Sequence, residues 1–175
     1  MELWWPLLII IGTVALLLGP IMVLQPNSRQ RQLAALRQAA LKRGISVRLD
    51  SSNKKAPPIA VYSLAWPISM KTGRFYLKKQ DFAHDLHLLD YWYWEGDGRP
   101  PDNWLPPLKE ILQLMPEDIV GIECTKHSLG LFWLEKHNQT TLDAVEGLLK
   151  KSQAILLDAV MGSDGPANIT SGPGN

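Results

Sequence analysis

Four side chains in this sequence have the chemistry to hold a metal ion. They are His84 and His87, in His84-Asp85-Leu86-His87, and Cys124 and His127, in Cys124-Thr125-Lys126-His127. An H-x-x-H beside a C-x-x-H offers four borderline or soft ligands, the number a tetrahedral zinc site takes. The plainer reading competes with it. Cys124 falls in a strand pattern, where it would point inward as a small apolar residue, and His127 falls in a turn facing water. A Cys124–His nucleophile would need a base within hydrogen-bond reach and an oxyanion hole, and the sequence displays neither. Glu95, Asp97 and Asp102 could pass for paired carboxylates, but they sit among Gly and Pro, where solvated acids are ordinary. No phosphate loop, dinucleotide glycine fingerprint, GxSxG or HExxH is present. The expectation is therefore no catalytic residue and no cofactor. A membrane-tethered metal-dependent enzyme on the His84/His87/Cys124/His127 cluster is the alternative.

Aromatic side chains are the second singular feature. Trp66, Tyr91, Trp92, Tyr93, Trp94, Trp104 and Trp133 crowd a small domain. A strand over 91–94 would send Tyr91 and Tyr93 to one face and Trp92 and Trp94 to the other. One face supplies core; the other is covered by a helix or stands exposed. In the exposed case, Trp92, Trp94 and Trp104 are the candidates for a partner interface.

The elements that must position these residues follow from patterning. From Leu3 to Leu24 the chain carries no charge for 22 residues, with Trp4 and Trp5 at one end. That length approximates the hydrocarbon thickness of a bilayer, so a transmembrane helix is expected. A cleaved signal peptide would want a basic leader and a small-x-small cleavage site, and neither is there. Arg29, Arg31, Arg37, Lys42 and Arg43 follow the apolar run, while no basic side chain precedes it. The positive-inside rule then puts the N-terminus outside and residues 25–175 in the cytoplasm. The same five residues form a basic juxtamembrane helix, 27–44, opened by an Asn27/Gln30 capping pattern and closed at Gly44. It would either lie on anionic lipid or pack on the domain through Leu33, Leu36, Ala40 and Leu41.

Beyond it, alternation predicts strands at 45–50, 59–66, 74–79 and 87–94. A helix is expected from Pro106 to Met115. Strands 119–125 and 129–135 should form a hairpin about Lys126-His127-Ser128. A last helix should begin at Thr140 or Thr141 and run to Gly162. The expected fold class is α+β: a mostly antiparallel sheet of about six strands with two packed helices, after the transmembrane and juxtamembrane helices. The domain divisions are 1–26, 27–44, 45–162 and a disordered tail, 163–175. A net charge of +1 gives no basic excess for a nucleic-acid partner. One cysteine excludes an internal disulfide.

The order of an N-terminal apolar run, the helix QPNSRQRQLAALRQAALKRG and the strand ISVRL resembles small single-span bacterial inner-membrane proteins labelled YajC-like preprotein translocase subunits. The likeness covers residues 1–50 and rests on arrangement. The family's Gly-rich turn is replaced by Asp50-Ser51-Ser52, and a further domain follows. The resemblance implies an accessory protein beside a larger membrane complex such as a protein translocase, with a membrane-protein partner and no catalytic residues to carry over.

Overall fold

A computed structural model describes residues 4–23, 27–52, 57–70, 73–80, 88–136 and 140–163; the side chains of 17–23, 162 and 163 are not described. The elements are α1 (Trp4–Val23), α2 (Ser28–Lys42), β1 (Ser46–Asp50), β2 (Ile59–Ala65), β3 (Phe75–Lys79), β4 (Trp92–Glu95), a 3-10 turn (Asp102–Trp104), α3 (Leu105–Gln113), β5 (Ile119–Cys124), β6 (Ser128–Trp133) and α4 (Leu142–Ser163). The chain divides into two units, Met1–Leu36 and Arg37–Asn175.

The first unit holds α1 and the start of α2. Trp4, Trp5, Ile9 and Leu16 of α1 are exposed. The expected transmembrane helix is corrected: among the described residues, no helix is long and apolar enough to cross a membrane. At the start of α2 the reciprocal half of the capping box forms, the Asn27 N–H donating to Gln30 Oε1 at 3.1 Å.

The second unit is a six-stranded antiparallel sheet in the order β1-β2-β6-β5-β3-β4. Alternation makes each strand two-faced, and the register lines up the faces across the sheet. Tyr62 pairs with Leu131, Leu131 with Ile122, Ile122 with Leu77, and Leu77 with Trp94. That face is buried under the helices: Trp104 of the 3-10 turn sits edge-on to Phe75, centroids 6.1 Å apart. Val145, Leu149 and Leu156 of α4 and Leu108 and Ile111 of α3 are fully buried. Helical spacing of these apolar residues gives each helix one inward stripe. Burial at ~25 cal/mol per Å2 makes this layer the main source of stability.

The helix ends are set locally. Gly44 lies at φ +77, and the Ile45 N–H returns to Ala40 O at 3.0 Å, a Schellman-type stop for α2. Pro106 and Pro107 occupy the first turn of α3, where a missing N–H costs little. At α4 the cap is Thr141, whose Oγ1 accepts from the Ala144 N–H at 3.3 Å. Thr140 instead donates to Asp118 Oδ1 at 2.5 Å.

One further expectation is revised. The fourth strand is four residues, not eight. The backbone turns at Asp90, φ +42, and Leu89 and Trp92 meet in a single bridge there, so only 92–95 pairs with β3. The expected tail, 163–175, lies almost wholly outside the described residues.

Candidate functional site

The other face of the sheet is chemically different. The same register brings Arg48 opposite Val61, Tyr76 opposite Glu123 and Glu95, and Lys78 opposite Gly121 and Tyr93. Its charged side chains are partly or fully exposed except Glu123, which is buried, and at its centre Val61 and Phe132 are buried as well.

Phe132 forms the floor. It lies against Gly121, where a Cβ would come within 2.9 Å of the ring. The neighbouring Gly130 faces Ser63 and Val61 in the same way, a Cβ there meeting Ser63 Oγ at 2.8 Å. The two glycines are thus sites of close approach that let a ring and a branched side chain settle on the sheet. A one-residue bulge between Ile119 and Gly121 turns β5 beside them.

Over this floor opens a cleft of about 600 Å3, lined by Asp50, Ile59, Lys78, Tyr93, Glu95 and Phe132 among others. The Lys78 ammonium is 5.7 Å above the Phe132 ring and 2.7 Å from Glu95 Oε1. The cleft therefore combines aromatic surface with both signs of charge. Its chemistry is that of recognition: a ring face, an ammonium and carboxylates placed around a hollow.

Beside the cleft, Glu123 holds two arginines. Its Oε2 accepts from Arg48 Nη2 at 2.5 Å and its Oε1 from Arg74 Nη2 at 2.9 Å. The Arg74 guanidinium also lies 4.7 Å over the Tyr76 ring. The hydrogen bond to Glu123 raises the pKa of Arg74. Burial, and then the Glu123 carboxylate, raise that of the Tyr76 phenol.

The residues singled out by sequence are scattered. Cys124 is wholly buried on the helix-covered face, and burial, with Glu123 next, pushes its thiol up to about 12. His127 is exposed in the β5–β6 turn, its backbone N–H on Thr125 Oγ1 at 3.2 Å. His84 and His87 lie outside the described residues. Among the described residues no group of three or more His, Cys, Asp or Glu is placed to hold a metal. Glu95 is bound to Lys78, while Asp97 and Asp102 are exposed.

The interface candidates are reassigned. Trp92 and Trp104 are core residues, at 5% and 2% exposure. Trp94 is half-buried between Phe75, centroids 5.7 Å apart, and the Arg99 guanidinium at 5.2 Å. The aromatic that reaches the open face is Tyr93, half-buried at the cleft, while Phe132 of β6 lies buried beneath it. Alternation gave the parity of Trp92, Tyr93 and Trp94 correctly, while Tyr91 falls in the turn before β4; parity alone does not say which side the core occupies.

The basic residues expected at a membrane surface also divide. Arg37 donates to Glu135 through Nε at 2.9 Å and Nη2 at 2.5 Å, and Tyr62 Oη gives the same carboxylate a third bond at 2.7 Å. Arg43 is paired with Asp143, and with Glu146 at 2.9 Å. Both arginines are thus bound within the domain. Arg29, Arg31 and Lys42 are exposed.

No protein-family model, curated protein or solved structure matches this chain.

Proposed function

We propose that this chain is an accessory protein-binding module of the bacterial inner membrane, its domain on the cytoplasmic side, with no catalytic activity of its own. The observation that carries the reading is the open face of the sheet, where a cleft of about 600 Å3 mixes Tyr93 and Phe132 with Lys78, Glu95 and Asp50. A recessed aromatic floor rimmed by charges is what protein contacts use for anchoring and orientation. The exposed indole and aliphatic side chains of α1 support a membrane location, because a run of such groups is costly in water. Arg29 and Arg31 suit the anionic cytoplasmic leaflet, which attracts basic side chains at about 1 kcal/mol each. The likeness of residues 1–50 to YajC-like subunits adds a place beside a larger membrane complex such as a translocase.

The test is site-specific photocrosslinking in intact cells. A photoreactive residue at Tyr93 should yield one discrete adduct with a membrane protein, recovered in the membrane fraction. The same group at Glu110, exposed on α3, should not. No adduct at Tyr93, or recovery of the chain wholly in the soluble fraction, refutes the reading.

A further inference from the structure

Two guanidinium groups close on one buried carboxylate in the interior of the open face, away from either edge of the sheet. Glu123 stands on β5, the fourth strand in the order, and its side chain is 9% exposed. Arg48 reaches it from β1, over β2 and β6, and gives Nη2 to Oε2 at 2.5 Å. Arg74 comes from the other side, just before β3, and gives Nη2 to Oε1 at 2.9 Å. The two Nη2 atoms therefore lie within about 8 Å of each other. Arg74 is fixed further by the Tyr76 ring, 4.7 Å beneath it.

One arginine already balances a carboxylate; the second leaves the trio with a net charge of +1. The Arg48 and Arg74 side chains are 50% and 60% exposed. Each gives Glu123 one nitrogen of a fork that carries five N–H donors, so donors of both forks face solvent. A second, half-exposed ion pair adds little stability. What the geometry does supply is two forks braced at a fixed separation, a fit for the two oxygens of an incoming carboxylate. Charge narrows the class. A carboxylate brings one negative charge and neutralises the trio, whereas a phosphate dianion leaves a surplus beside Glu123.

Position supplies the neighbour. Gly121, two residues before Glu123 on the same strand and face, pairs with Phe132, the ring beneath the cleft. One pleat repeat, ~7 Å, thus separates the arginine pair from the cleft floor. Two side chains at positions i and i+2 of an extended segment span the same distance.

We infer that the Arg48/Arg74 pair, braced on Glu123, binds an acidic side chain of the protein partner, placed two residues from an apolar side chain that enters the cleft. The inference rests on the proposed function and names the chemistry of its partner.

The full chain, labelled with 15N-arginine, is titrated with acetyl-Leu-Ala-Glu-Ala-Leu-amide, with its Gln counterpart and with inorganic phosphate. The Nε–Hε signals of Arg48 and Arg74, assigned through R48K and R74K, should move together on addition of the Glu peptide. That peptide should bind about tenfold more tightly than either the Gln peptide or phosphate. E123Q leaves two arginines without their carboxylate, and phosphate should then gain about fivefold more affinity than the Glu peptide does. The triple variant R48Q/R74Q/E123Q removes the cluster without stranding a buried charge and should bind both peptides equally. Equal binding of the two peptides by wild type overturns the inference, as does tighter binding of phosphate than of the Glu peptide. Unmoved arginine signals, a phosphate gain in E123Q no larger than the peptide's, or a preference kept by the folded triple variant overturn it too. If crosslinking at Tyr93 captures a partner that the triple variant captures equally, the inference fails while the partner-binding function stands.

Discussion

Removing Arg37 should destabilise the domain by about 2–3 kcal/mol, an effect that can be worked from its contacts. The Glu135 side chain is 5% exposed and takes three hydrogen bonds, two from Arg37 and one from Tyr62. In Arg37→Ala the carboxylate keeps only the phenol. Stranding one member of a buried ion pair costs ~3–5 kcal/mol. The Arg37 side chain is 28% exposed, so water can enter its place, which brings the figure to the lower end of that range or below. For a domain of this size, ~3 °C of melting temperature corresponds to each kcal/mol, so the loss should read as about 6–9 °C. Glu135 adds a complication, because its backbone sits at φ +51, where a residue with a side chain carries ~1 kcal/mol of strain. The carboxylate bonds hold it there. Urea unfolding followed by tryptophan fluorescence is the natural assay, since Trp133 lies 5.0 Å from Tyr62. Arg37→Ala, Glu135→Gln and the double variant close a thermodynamic cycle. The double variant should be less destabilised than the two single losses summed, by at least 1 kcal/mol. A loss under about 0.5 kcal/mol in Arg37→Ala, or strict additivity, would show that the carboxylate is solvated and that the bonds do not hold the C-terminal half of α2.

Cys124 should resist iodoacetamide at pH 8 in the folded chain and react fully in urea, because burial holds its thiol up to about 12; rapid labelling without urea refutes this placement. Burial, then Glu135, raises the Tyr62 pKa well above its ordinary 10. The folded state thus favours the neutral phenol: the contribution is whole below the unfolded value near 10 and is lost as pH rises through the folded one. Stability should fall above pH 10, and Tyr62→Phe should flatten that slope in an alkaline urea series. Gly121→Ala should cost about 1–3 kcal/mol, since the added Cβ would stand 2.9 Å from the Phe132 ring and 3.2 Å from Leu77 O; Gly147→Ala in α4, where nothing lies within 4 Å, should be neutral or stabilising. Paired chemical denaturation curves decide between them.

Much of the architecture was readable because its signals are local. Strict alternation in Ile45–Asp50, the apolar runs of 59–66, 119–125 and 129–135, and the pattern of 74–79 found five of the six strands within a residue or two of their bounds. Asn27, Gly44 and Pro106 marked helix ends through backbone chemistry that acts over a few residues. The site was less legible, since it depends on pairs far apart in sequence. Nothing near Arg37 points to Glu135, 98 residues away, and nothing near Arg48 points to Glu123, 75 away. Seen as a linear run, Arg29 to Arg43 is a uniform basic helix; folding sets two of its members against carboxylates. The aromatic stripe failed for a related reason. Trp92 and Trp104 read as surplus until the sheet order places β4 beside β3 and brings Phe75 between Trp94 and Trp104.

The place of β2 in the strand order has a consequence for biosynthesis. Its first neighbour, β1, leaves the ribosome just before it, but its second, β6, begins at Ser128, which pairs with Ala65. At ~5–20 residues per second the nascent chain spends roughly 3–12 s with that flank of the β1–β2 ribbon unsatisfied. The molecule must therefore wait for the synthesis of the residues between Ala65 and Ser128 before the middle of the sheet can zip. During that interval the newborn hairpin is the segment for which a holding chaperone would have the most use.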